Sequence, residues 1–96
     1  MNSLGERIRK LRESKNLLLR QVAAYLEIDT ALLSKMERGV RRPSRDQVVA
    51  LSEHFGVDEK DLLTLWLSDK ILNSVKDDKY AALALNKATE LLISKS

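Results

Sequence analysis

The sequence predicts an all-α fold, five helices with one or two extra C-terminal helices, and three observations carry that expectation. Apolar residues recur at helical spacing from Leu4 onward, with no strand-like alternation. Capping residues stand ahead of most apolar segments, at Ser3, Asp29, Ser44 and Asp58. Only three Gly and one Pro occur in 96 residues, which suits short-linked helices rather than the many tight turns of a sandwich.

In order along the chain, Ser3-Leu4-Gly5-Glu6 has capping-box spacing and opens a first helix from about Leu4 to Lys15. Leu4, Ile8 and Leu11 line one side of it, and Asn16 is expected to close it in a left-handed conformation. A second helix spans Leu19 to Leu26, with Leu19, Val22, Ala23 and Leu26 on one face. Asp29 caps a third, which continues to Arg38 and stops at Gly39. Pro43 and the capping box Ser44-Arg45-Asp46-Gln47 open a fourth, with Val48, Val49, Leu51 and Phe55 inward before Gly56 ends it. Asp58 caps a fifth. No helix breaker stands between Glu59 and Val75, so this segment is one helix, or two if Ser68 interrupts it. Asp77 or Asp78 caps a last helix from Lys79 to about Ser94.

Charge divides the chain. Residues 1 to 45 hold eleven basic side chains against five acids, a net of +6. The other 51 residues hold six Lys and nine acids, a net of −3, and no Arg. Arg suits phosphate forks and guanine edges, so the first part could face a polyanion and the second should not. Several function classes fall away. The chain has no Cys, hence no disulfide framework and no thiolate metal site, and its one histidine, His54, lies beside Phe55 and reads as a packed or rim side chain. No acid/base pair, activated nucleophile or phosphate-cradling loop is visible, so no enzyme, metal, cofactor or small-molecule ligand is expected. Met1 to Gly5 lead straight into a charged segment, and no signal peptide, membrane span or lipid anchor is expected.

Two short helices joined by a few residues, the second with a polar outer face, describe a helix-turn-helix. Stepping about 100° per residue puts Leu33 and Met36 at the centre of the buried face of the third helix. Ala31, Ser34, Lys35 and Arg38 then point outward, with Thr30, Leu32 and Glu37 on the flanks. Short side chains let a backbone approach base edges, and the two cations reach phosphate or guanine.

The segments Gly5-Glu6-Arg7-Ile8-Arg9-Lys10-Leu11-Arg12, Gln21-Val22-Ala23-Ala24-Tyr25-Leu26, Leu33-Ser34-Lys35-Met36-Glu37-Arg38-Gly39 and Arg42-Pro43-Ser44 resemble the phage-repressor-like (Xre/Cro) helix-turn-helix family. The resemblance runs on through Phe55-Gly56-Val57-Asp58 and covers residues 3 to about 65. It implies a five-helix repressor-like domain in which Thr30, Ala31, Ser34 and Lys35 approach base edges. It implies that Leu19, Gln21, Arg41, Arg42, Ser44 and Arg45 lie near the sugar-phosphate backbone, Ser44 through the exposed amides of a helix start. Arg38 joins the base-reading set on helical geometry. Arg12 falls on the same side of its helix as Ile8, and Glu37 flanks the buried face of the third helix, so the two are expected to pair; the resemblance implies the same pair. The chain departs from the family pattern in three places. Leu18 stands where Ser or Thr usually caps the second helix, a loss of about 1 kcal/mol. Glu27 stands where the turn usually has Gly, at a cost of roughly 1 to 2 kcal/mol. The reading helix begins Thr30-Ala31-Leu32 rather than with Gln, Arg or Asn, which favours thymine-methyl contact supplemented by Lys35 or Arg38.

The division expected is a DNA-binding domain over 1–67 and a helical extension over 68–96. That extension has surplus apolar surface, and a domain this small leaves much of its chain surface in water. Trp66, Ile71, Leu72, Leu85 and Leu92 are therefore expected in a homodimer interface, with Ala81, Ala84 and Ala88 offering close approach. The function expected is a sequence-specific regulator of transcription, a repressor bound to double-stranded DNA as a homodimer in a bacterial-type cytoplasm, associated with the nucleoid. The alternative is an interaction module or antitoxin-type protein that uses the same fold to bind a protein partner.

Overall fold

The computed structural model describes residues 3–95. Its helices are α1 (Ser3–Ser14), α2 (Leu19–Leu26), α3 (Thr30–Glu37), α4 (Arg45–Phe55), α5 (Glu59–Val75) and α6 (Ala81–Ser94), and no strand occurs among the described residues.

The first four helices end alike. Asn16, Glu27, Gly39 and Gly56 all have positive φ, at 55°, 57°, 77° and 67°. In each case the next residue's N–H reaches five residues back: Leu17 to Arg12 O, Ile28 to Ala23 O, Val40 to Lys35 O and Val57 to Ser52 O, at 2.9 to 3.0 Å. This pairing satisfies the last carbonyls of a helix and turns the chain sharply. Glycine takes the conformation freely, whereas Glu27 carries the steric cost of a left-handed residue.

The helix starts are less uniform. Asp29 accepts the Leu32 N–H at 2.7 Å, and Ser44 and Gln47 form a complete capping box at 3.2 and 2.9 Å. Leu18 occupies the N-cap of α2 with no side-chain cap; only the return half of the box exists, Gln21 Oε1 accepting the Leu18 N–H at 2.7 Å. α1 already includes Ser3, and the Ser3 and Leu4 N–H groups are held by the buried carboxylate of Asp69 on α5, at 3.2 and 2.9 Å. A carboxylate there satisfies two orphan donors and faces the positive end of the helix dipole.

α5 is a single helix, uninterrupted at Ser68, and the expected domain boundary between residues 67 and 68 falls inside it. α6 starts two residues later than Lys79, because Asp78 accepts the Tyr80 N–H at 2.8 Å in a turn that precedes the helix. α3 ends at Glu37, one residue short of Arg38.

The core joins Leu4, Ile8 and Leu11 of α1, Val22 and Ala23 of α2, and Leu33 and Met36 of α3. Val48, Leu51 and Phe55 of α4 and Leu62 of α5 complete it. Val49, expected inward, is only partly buried: positions 48, 51 and 55 share one helical stripe, and 49 lies a step off it. Leu26 likewise sits at the rim of the core. α6 has no buried residue, and Leu83, Leu92 and Ile93 stay about two-thirds exposed.

Candidate nucleic-acid interface

α2 and α3 are joined by Glu27-Ile28-Asp29. α3 buries Leu33, Met36 and Glu37 and leaves Thr30, Ala31 and Lys35 exposed, with Arg38 exposed at its C-cap and Ser34 partly covered. The buried Glu37 fixes how α3 sits. Arg12 Nε donates to Glu37 Oε2 at 2.7 Å and Nη2 to Oε1 at 3.1 Å, while Nη1 donates to the Leu17 carbonyl at 3.0 Å. One guanidinium thus ties α3 to α1 and to the turn that leads into α2. The hydrogen bond to Glu37 raises the Arg12 pKa, outweighing the opposite effect of burial, so Arg12 stays cationic.

From the C-terminal end of α3 the chain passes through Arg41 and Arg42 to the start of α4. Arg41, Arg42, Ser44 and Arg45 are all exposed. Among the described residues none of Lys35, Arg38, Arg41, Arg42 and Arg45 has a carboxylate within ion-pair distance, whereas Arg9 pairs with Glu13 and Lys87 with Glu90. The segment is anchored from behind by α5. Arg42 Nη1 donates to the Trp66 carbonyl at 2.7 Å, its guanidinium lies 4.1 Å over the Trp66 ring, and Trp66 Nε1 donates to the Pro43 carbonyl at 2.8 Å. At the start of α2, Leu19 is partly buried against the core, and Gln21 is exposed and uses its oxygen on Leu18, which leaves its NH₂ as an outward donor.

His54 stacks on Tyr25 with ring centroids 4.0 Å apart and lies 5.7 Å from Phe55, which is packing between α2 and α4. No group of three potential metal ligands occurs among the described residues, and no described helix is long and apolar enough to cross a membrane. On α5 and α6, Ile71 is half exposed, Leu72 and Leu85 are partly buried, and Leu92 is 73% exposed. Ile71, Leu72 and Leu85 help line an open apolar groove of about 380 Å³.

A family model described as a helix-turn-helix domain matches residues 3–65. The chain belongs to this helix-turn-helix family. Two relatives agree with the Xre/Cro resemblance. The HTH-type transcriptional regulator DdrOP3 of Deinococcus deserti is 37% identical over 60 residues, which are 62% of this chain and 46% of that protein. Control protein C.BamHI of Bacillus amyloliquefaciens is 35% identical over 60 residues, 62% of this chain and 74% of that one. The match thus spans less than half the length of DdrOP3. In overall fold the chain is similar to the crystal structure of the clp gene regulator ClgR from Corynebacterium glutamicum, with a TM-score of 0.62, 24% identity and coverage of 88% of this chain and 90% of that one.

Two residues of this helix-turn-helix protein escape sequence reasoning. Asp69 lies 65 residues from the Leu4 amide it caps, and nothing near it in sequence announces that role. Trp66 faces the loop before α4 rather than standing free on α5. The one local hint is that both lie on the same helix, three residues apart, and so project to one side.

Proposed function

We propose that this helix-turn-helix protein is a sequence-specific regulator of transcription that binds double-stranded DNA as a homodimer and represses by occupying promoter DNA. In this reading α3 enters the major groove. Thr30, Ala31, Ser34, Lys35 and Arg38 meet base edges, while Leu19, Gln21, Arg41, Arg42, Ser44 and Arg45 lie along the phosphates. The observation that carries it is the set of exposed cations on α3 and the following segment, Lys35, Arg38, Arg41, Arg42 and Arg45, with no carboxylate partner among the described residues. A row of unneutralised Arg beside a short-residue helix face suits a polyanion whose bases must be approached closely. No catalytic step is assigned to the chain, and the site of action is the cytoplasm, on the nucleoid.

The homodimer is supported by the apolar surface of α5 and α6, which offers Ile71, Leu72, Leu85 and Leu92 to a two-fold related copy. Trp66 is engaged within the protomer, so the interface rests on the other four. Selection from random duplexes followed by sequencing tests the whole reading. A two-fold symmetric motif is expected, with half-sites one helical turn, about 34 Å, apart. An unenriched pool contradicts it.

A second reading is favoured by one observation, the exposed apolar side chains of α6. In an antitoxin-type or interaction protein that surface holds a different protein, and duplex binding is absent or indifferent to salt.

A further inference from the structure

Trp66, the only tryptophan of the chain, grips the segment before α4 in two ways. Its indole N–H donates to the Pro43 carbonyl at 2.8 Å, and the N–H of the same Pro43–Ser44 peptide donates to Gln47 Oε1 at 2.9 Å. A peptide group is planar, so holding both its polar ends sets the plane from which α4 departs. Trp66 also holds Arg42, through its carbonyl oxygen at 2.7 Å and through its ring at 4.1 Å; the Arg45 guanidinium lies 5.8 Å from the same ring. Two guanidinium groups near one ring repel each other, and a phosphate near both relieves that repulsion.

We propose that Trp66 is the positioning residue for the DNA-backbone contacts of residues 41 to 45. It acts through the Pro43–Ser44 peptide and through Arg42, without touching DNA itself. A long cation and a loop that are already ordered lose less freedom on binding, so affinity rises for every sequence alike. The inference rests on the DNA-binding reading above. It also makes α5, the helix whose far half borders the proposed dimer surface, a structural support of the phosphate contacts.

The test compares wild-type protein with Trp66→Phe, which keeps a ring under Arg42 and removes the indole donor. Affinity for a panel of duplexes is measured well below both melting temperatures, and Ser44 amide exchange is followed in the free proteins. The variant should bind all duplexes about 3- to 10-fold more weakly, the loss expected for one hydrogen bond, with an unchanged order of preference and faster Ser44 exchange. A purely structural role would lower the melting temperature and leave affinity between folded states unchanged, and that result overturns the proposal. So does a loss confined to some sequences. Wild-type protein that binds no duplex defeats the DNA-binding reading and the proposal together, whereas unchanged binding by the folded variant defeats the proposal alone. If Trp66→Phe does not fold, the wild-type indole N–H decides: it should stay protected from exchange when the protein is saturated with duplex, and loss of protection on binding overturns the proposal.

Discussion

Arg12 and Glu37 meet side-on, Nε to Oε2 at 2.7 Å and Nη2 to Oε1 at 3.1 Å, with side chains only 12% and 6% exposed. A pair this far out of water is costly to break from one side, because the survivor stays buried without its partner. Arg12→Ala or Glu37→Ala should each destabilise by about 3 to 5 kcal/mol, and the double variant by clearly less than the sum. A urea-unfolding double-mutant cycle measures this; zero coupling would reduce both to independent charges. The pH dependence has a definite sign. A raised Arg12 pKa gives stability that is fully present below the unfolded-state value and is lost only as pH climbs through the folded-state value. Stability should therefore show no loss from Arg12 anywhere near neutrality.

Asp69 is the cap that α1 borrows from α5. Asp69→Ala removes the acceptor of two backbone N–H groups near the buried Leu4, and should cost about 1 to 3 kcal/mol. In a domain of this size each kcal/mol lowers the melting temperature by roughly 4 to 8 °C. Calorimetry of Asp69→Ala beside Asp69→Asn, which keeps one acceptor oxygen, should rank the variant with no acceptor below the amide. Equal melting temperatures for both variants and wild type would show that the contacts contribute nothing.

Two positions of α2 hold residues that suit their backbone poorly, and correcting them should stabilise. Leu18 is 49% exposed at an N-cap it does not satisfy, and Leu18→Ser should add about 0.5 to 1 kcal/mol. Glu27 has φ 57° and ψ 41°, and Glu27→Gly should gain up to about 1 kcal/mol, relief of strain minus the greater freedom of glycine in the unfolded chain. Chemical denaturation reads both; a lower midpoint for either variant contradicts the local account of that end of α2.

The residues assigned to bases and to phosphates should separate in their effects on binding. Lys35→Ala should relax the selected motif at one or two positions, while Arg41→Ala should weaken binding to all sequences and leave the motif intact. Repeating the duplex selection with each variant checks this. The opposite pattern would place the loop, and not α3, in the groove.

What is legible in the sequence is local. The span of α4 follows from its capping box and Gly56, that of α2 from the apolar face Leu19, Val22, Ala23 and Leu26, and the Arg12–Glu37 contact from helical phase on two short helices. Interactions that depend on how distant helices cross left no trace in sequence. Asp69 caps α1 and Trp66 holds the Pro43 carbonyl only because α5 crosses α1 and the loop before α4, and residues near them in sequence do not encode that crossing. α5 itself was ambiguous, because a serine inside a helix is tolerated or disruptive according to its surroundings. In α4 both Val48 and Val49 are expected inward, because four apolar residues in a row, Val48 to Leu51, do not mark the edge of the buried stripe; of the two, only Val48 is fully buried.

Binding of duplex DNA by the basic part of the chain, through the phosphates, is read from a salt titration of duplex affinity. With about five phosphates neutralised, log K should fall against log[salt] with a slope near −4 to −5. A slope near zero, or no duplex binding at low salt, would show that this surface does not hold DNA by its phosphates.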